Sequence, residues 1–156
     1  YRNLVLKMKE VIRTTQKTLE MSLWNREVNL LKGELKKAEK RGVDVTLFSF
    51  TKFDFKIGKQ ISYNLNEDRL RKIWSPNIIL VSDQLSTIMG SSKKESNSRS
   101  IFTKNEAIIE IAINHIVLDI TLAGQRLNFD SNPIVKKIMK NSDLQLNKLF
   151  KDKKNF

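Results

Sequence analysis

Apolar residues recur at intervals of three and four through the first fifteen positions. Tyr1, Leu4, Val5, Met8, Val11 and Ile12 make the stripe of an amphipathic helix. The period then falls to two: in TLEMSLW (18–24), Leu19, Met21 and Leu23 alternate with other side chains, which predicts a strand. Helical spacing returns with Val28, Leu31, Leu35 and Ala38. Asn25 is the N-cap candidate of that helix, and Gly42 suits the left-handed position just past its end. VDVTLFSF (43–50) is β-branched, aromatic and alternating, and predicts a second strand. Strand, helix and strand in this order form a βαβ unit, which requires a parallel pair.

Residues 51–73 are polar and mixed, and read as an insertion with a short strand at ISYNL and a basic turn at RLRK. NIILVSD and LSTIMG then predict an antiparallel hairpin turning at Asp83–Gln84, followed by a mobile polar loop, SSKKESNSRS, and a short strand, SIFT. Thr103 and Glu106 have the spacing of a capping box. They open a helix over 105–122 whose apolar residues occupy more than one stripe, so it lies behind the sheet or against a second subunit. A last helix is expected at about 134–152. There is no internal repeat and no linker composition, and 156 residues suit one core. The fold class is α/β, a mixed sheet with a βαβ unit and flanking helices.

Composition narrows the chemistry. Cysteine is absent, which excludes disulfides, thiolate catalysis and most structural zinc sites. His115 is the sole histidine, so no histidine cluster or two-histidine mechanism is available within one chain. No metal or cofactor is expected. No apolar run approaches the roughly 20 residues of a membrane span, so a soluble chain with no membrane partner is expected. The chain starts at Tyr1 within a helical pattern, which suggests a fragment of a longer protein. The net charge is +12, and from Ile134 onward seven lysines face two aspartates. Such an end is either a solvated helix or a surface for a polyanion.

One motif frame is incomplete. Phosphodiesterases of the phospholipase D superfamily carry His-x-Lys-x4-Asp and, after six intervening residues, Gly-Ser. The histidine is the nucleophile and the lysine holds phosphate oxygens. With the aspartate set at Asp83, Gly90–Ser91 falls at the right spacing, but the histidine position is Pro76 and the lysine position is Ile78. His115 cannot substitute, because HIVLD has Val117 where the lysine would stand. In its apolar helix, His115 suits a packed or subunit-facing role. No catalytic residue is assigned.

The order of the surrounding segments carries a wider resemblance. Ser-Leu-Trp (22–24), Ala-x-x-Arg-Gly-Val (38–43), Val-x-Asp (81–83) with Gly90, and Thr-x-Asn (103–105) before a helix reaching Asp119–Ile120 succeed one another over roughly residues 4–120. This pattern resembles the effector domain of the TrmB family of transcriptional regulators. The resemblance implies a phospholipase D-like half without catalytic residues, a cytoplasmic homodimer, and a small-molecule effector, a sugar in archaeal members. It also implies DNA contact through a winged-helix domain absent from this chain. Residues 1–15 would then be a linking or first helix, 16–124 the effector domain, and 125–156 a basic helical extension that the resemblance does not cover.

Ligands of α/β sheets bind beyond the carboxyl ends of the parallel strands. The candidates there are Ser22, Trp24, Asn25, Ser49 and Thr51, joined by Asp83, Ser91, Thr103 and Asn105 from later segments. An aromatic face among hydroxyl, amide and carboxylate groups suits a polyol. Each candidate also has a plainer role: Asn25 and Thr103 as helix caps, Trp24 in the core, Asp83 in a turn. Two other functional classes stand beside the sensor domain. A phosphodiesterase needs groups that positions 76 and 78 lack, and a basic nucleic-acid or partner-binding module would use the lysine-rich end.

Overall fold

The computed structural model describes residues 1–93 and 99–139. Its elements are α1 (Arg2–Thr14), β1 (Thr18–Ser22), α2 (Asn25–Lys40), β2 (Asp44–Thr51), β3 (Lys59–Leu65), α3 (Glu67–Arg71), β4 (Asn77–Ser82), β5 (Ser86–Ser91), β6 (Ser100–Thr103), α4 (Glu106–Leu127) and α5 (Asn132–Met139). The strands form one mixed sheet in the order β3-β2-β1-β4-β5-β6. β1, β2 and β3 run parallel, whereas β4, β5 and β6 are joined antiparallel to their neighbours. The βαβ unit and the hairpin therefore stand as the alternating pattern predicts.

Period-two alternation gives each strand two apolar faces, and helices cover both. On one face, Leu19, Met21, Leu47 and Leu80 pack with Met8 and Ile12 of α1 and Leu31 and Leu35 of α2. On the other, Phe48, Ile61, Ile79 and Val81 lie under Ile109, Ala112, Ile116 and Ile120 of α4, with Ile138 of α5. The helix after β1 ends as its glycine dictates. Gly42 has φ +86°, its N–H donates to Glu39 C=O at 2.9 Å, and the N–H of Val43 reaches Ala38 C=O at 3.1 Å, a Schellman closure.

Several boundaries differ from expectation for local reasons. Helix α2 includes Asn25, with Trp24 in the cap position and no capping side chain. The Asn25 N–H is instead taken by Thr51 Oγ1 at 2.8 Å, so a hydroxyl from β2 does the work of a cap. Thr103 cannot cap α4, because it is still paired with Thr87 in the sheet. Asn105 caps it, accepting from the Ile108 N–H at 3.2 Å, while Thr103 Oγ1 accepts from the Asn105 N–H at 3.0 Å. The segment read as an insertion contains β3, a full edge strand parallel to β2.

α4 continues to Leu127, beyond the expected end at 122, and stops where Asn128 turns left-handed at φ +56°. At 22 residues it is long and apolar enough to cross a membrane by length and composition, which corrects the expectation that no stretch approaches that size. One stripe of it is buried on the sheet, whereas Ile111, Leu118 and Leu122 are exposed. The core of the expected polar loop (94–98) and the lysine-rich positions from 140 onward lie outside the described residues.

Candidate functional site

The carboxyl ends of β1 and β2 converge with the start of β4 and the end of β5, because β4 runs antiparallel to β1 and β5 antiparallel to β4. Two adjoining clefts open along this edge. One, of about 290 Å³, is lined by Asn25, Thr51, Lys52, Asn64, Leu65, Asn66 and Glu67. The other, of about 720 Å³, is lined by Asn25, Arg26, Glu67, Asp68, Arg71, Pro76 and Lys93. Asn25 and Glu67 belong to both.

Of the nine residues expected at a ligand site, Asn25 and Thr51 line these clefts. Asn25 is already engaged, donating from Nδ2 to Asp54 at 2.8 Å, and that hydrogen bond, with one from Asn29, holds the Asp54 carboxyl below the usual range. Ser49 is fully buried, and its hydroxyl meets that of Thr51 at 3.0 Å. Ser22 is buried and donates to Asp119 at 3.3 Å. Ser91 ends β5 opposite Asn77, and its Oγ accepts from the Lys93 N–H at 3.2 Å.

Trp24 is only 2% exposed, and the Arg71 guanidinium lies over its ring at 5.2 Å. The aromatic face expected to stack on a polyol is therefore covered. Trp24 takes the core role.

The remaining three lie at the opposite end of the sheet. The turn after β4 points back beside the start of β1, so the Asp83 N–H donates to Thr18 C=O at 2.9 Å. Thr103, paired with Thr87, and Asn105 after it share that end. Asp83 accepts the N–H groups of Gln16 (2.9 Å), Lys17 (2.6 Å) and Thr18 (3.0 Å). Partial burial raises its carboxyl pKa, but the three amides outweigh burial and hold it below the usual range. With φ +53° at Asp83 and +56° at Gln84, the turn has the left-handed pair of a type I′ hairpin. Asp83 ties the entry of β1 to this turn. A separate cleft of about 590 Å³ at this end includes Lys7, Asp83, Phe102 and Lys104.

The residues at the motif positions have structural work. The Pro76 carbonyl accepts the N–H (2.7 Å) and the hydroxyl (3.1 Å) of Ser92. Ile78 is 1% exposed, in the core beneath α1 and α2. Gly90 is required by close approach, since a Cβ there would stand 2.6 Å from the Cβ of Ser100. Of the packed or subunit-facing role expected for it, His115 does not take the packed one: its side chain is more than half exposed. Its Nε2 lies 3.6 Å from Asp119 Oδ2, the same oxygen that accepts from Ser22. Burial raises the Asp119 carboxyl, opposed by His115 and Ser22. The carboxylate sits between the imidazole and the hydroxyl, so His115 does not face Ser22 and the trio lacks the Ser-His-Asp order of a hydrolytic triad. Among the described residues no group of three or more acidic, histidine or cysteine side chains could hold a metal.

The charged wall of the larger cleft went unassigned in the sequence. Arg26 donates to Glu27 at 2.8 Å and to the carbonyl of Ser92, and lies over the Tyr1 ring at 4.4 Å. Tyr1 donates to the same Glu27 oxygen at 2.6 Å, and burial together with that carboxylate raises its phenol pKa. Arg71 donates to Glu67 at 3.0 Å. The only available signal was the basic run RLRK, which has the composition of a solvated turn.

Fold and site together define a phospholipase D-like α/β sheet with neither histidine nor lysine at the motif positions. Among solved structures the chain is similar to NucT from Helicobacter pylori, with a TM-score of 0.54 at 12% identity over 77% of this chain and 89% of that one. It is also similar to TrmBL2, described as an archaeal chromatin protein with a novel mode of DNA binding, with a TM-score of 0.51 at 14% identity over 73% of this chain. The matched part spans about half of TrmBL2, 47% of its length. A weaker likeness, TM-score 0.49 at 14% identity over 76% and 85% of the two chains, is to Nuc from Salmonella typhimurium, a phospholipase D family member. No curated protein sequence matches. The family model for "Transcriptional regulator TrmB, EBD N-terminal subdomain" matches residues 1–116, and the chain belongs to that family of transcriptional regulators.

Proposed function

We propose that this chain is the non-catalytic, ligand-sensing and dimer-forming part of a TrmB-type regulator acting in the cytoplasm. A small-molecule effector, a sugar in the simplest extension of the family resemblance, binds at the carboxyl edge of the sheet. Binding favours one arrangement of two copies over another and so alters the spacing of DNA-binding heads carried elsewhere in the regulator. It does so only to the extent that the effector binds the two arrangements unequally.

The observation that carries this reading is Pro76. It lines the larger cleft where the motif would present its nucleophile, and its carbonyl is already committed to Ser92. A pyrrolidine ring cannot attack phosphorus, and Ile78 is packed in the core. The exposed Ile111, Leu118 and Leu122, spaced seven and four apart on α4, support self-association.

A thermal-shift screen of sugars and related metabolites, followed by calorimetry, tests the sensing role, because selective binding to the folded chain raises its melting temperature. Sedimentation tests the dimer. Phosphodiester hydrolysis by purified protein, lost on substitution of Asp83 or His115, would overturn the non-catalytic reading.

The charge of +12 favours a second reading, direct contact with nucleic acid. Duplex DNA binding that weakens steeply with salt supports it. No binding at low salt rejects it.

A further inference from the structure

We infer that the outer face of α4 docks a second copy of this chain, the two α4 helices packing antiparallel with His115 in their seam. This rests on the dimer reading above and adds to it the surface, the direction of pairing and the residue that sets the register.

The apolar residues of α4 fall into two stripes with different fates. Ile109, Ala112, Ile116, Ile120 and Ala123 are buried on the sheet. Ile111, Leu118 and Leu122 are exposed on another side of the helix, and His115, more than half exposed, stands among them. Positions 111, 115, 118 and 122 are spaced four, three and four apart, the repeat of a coiled-coil seam. At about 3.6 residues per turn these four lie within roughly 60° of one another. Ile108 and Gln125 continue the spacing by three at either end. The sheet accounts for the first stripe only. A seam of this period fits a like helix, because its side chains need holes of the same spacing.

Charge sets the direction. Glu106 and Glu110 stand in the first two turns of α4 and Arg126 in its last. Among the described residues none of the three has an ion-pair partner. An antiparallel pair brings unlike ends together and opposes the two macrodipoles, whereas a parallel pair sets like ends side by side. Paired antiparallel, the seam closes on a two-fold axis between His115 and Leu118. Ile111 then meets the second copy's Leu122, and His115 meets its Leu118. Such a contact is complete at two copies. A single polar residue at a seam position fixes register at a cost in affinity, and His115 is that residue.

The test is sedimentation of the whole chain over a concentration series, with variants of this face. The wild type is expected to pass from monomer to dimer and no further. Leu118→Lys should raise the dissociation constant about a hundredfold or more with circular dichroism unchanged, because both copies lose a buried leucine. His115→Leu should lower it about tenfold or more by completing the seam. The chain has no cysteine, so single introduced thiols report direction. In the antiparallel pair the two copies of position 118 stand about 4.5 Å apart along the axis, and those of position 111 about 16 Å. A short bis-maleimide should therefore link Leu118→Cys and not Ile111→Cys. Equal linking of both overturns the direction. A dimer indifferent to Leu118→Lys and His115→Leu overturns the surface and leaves the dimer reading standing. A monomer at every concentration overturns both. If that monomer binds vesicles of phosphatidylcholine and phosphatidylglycerol and Leu118→Lys does not, the face docks lipid instead. Effector binding, read separately by thermal shift, stands or falls apart from these outcomes.

Discussion

Glu20 lies in the middle of β1, a central strand, under the helices of the α4 face, and is 3% exposed. Its Oε2 has no hydrogen-bond partner among the described residues. Burial pushes its carboxyl up from an ordinary value of 4.5 to about 7, with hydrogen bonding from Thr18 working the other way and the charge of Asp44 adding to the rise. The folded chain therefore holds a proton that the unfolded chain releases between pH 4.5 and about 7. Stability must fall as pH rises through that window and level off above it. At about 1.4 kcal/mol per factor of ten in the proton equilibrium, the ionised carboxylate costs roughly 3 kcal/mol at pH 8.

Glu20→Gln removes the titration and keeps the shape. Urea unfolding of both proteins at pH 5, 6, 7 and 8 should give a gap of only about 1 kcal/mol in favour of Gln at pH 5. The gap in favour of Gln should then widen to roughly 3 kcal/mol at pH 8, or roughly 6–12 °C in melting temperature for a domain of this size. Other titrating groups, Asp119 included, contribute equally to both curves and cancel in the difference. A gap that stays constant within about 0.5 kcal/mol across the series would show that Glu20 is not held protonated, and the reasoning fails.

Three further outcomes follow from the geometry. Asp83→Asn weakens three backbone contacts that favour the ionised form and should cost about 1–3 kcal/mol at neutral pH by chemical denaturation. Because the folded carboxyl is held low, that cost should shrink as pH falls through its titration, with the wild-type curve descending toward the variant. Gly90→Ala should cost about 1–3 kcal/mol in melting experiments, since Ser100 leaves no room for the added methyl group. Trp24→Ala should destabilise by about 3–5 kcal/mol, measured by urea unfolding, because the ring is core and not a free ligand platform.

Most of the fold was legible because burial on two faces writes itself into period. Leu19, Met21 and Leu23 against Val28, Leu31 and Leu35 distinguish strand from helix without tertiary knowledge, and Gly42 marks where the helix must end. β3 was harder to see. As an edge strand it buries little, and of KQISYNL only Ile61 is buried, so alternation is faint. The cap of α4 was misplaced by two residues because Thr103 and Asn105 both have capping chemistry. Only the pairing of Thr103 with Thr87, a long-range contact, decides between them.

The site was less legible because strand direction is not a local property. Asp83 belongs to the motif frame, and Ser22 and Thr51 end parallel strands, so they read as one constellation. The antiparallel run of β4 sends Asp83 to the far end, where its three amide bonds serve the chain's fold. What the same strand brings to the carboxyl edge is its start, Pro76, beside Arg26, Arg71 and Lys93 from three other elements. No spacing in the sequence links those four. They meet because α2 starts where β1 ends and because β5 returns antiparallel beside β4.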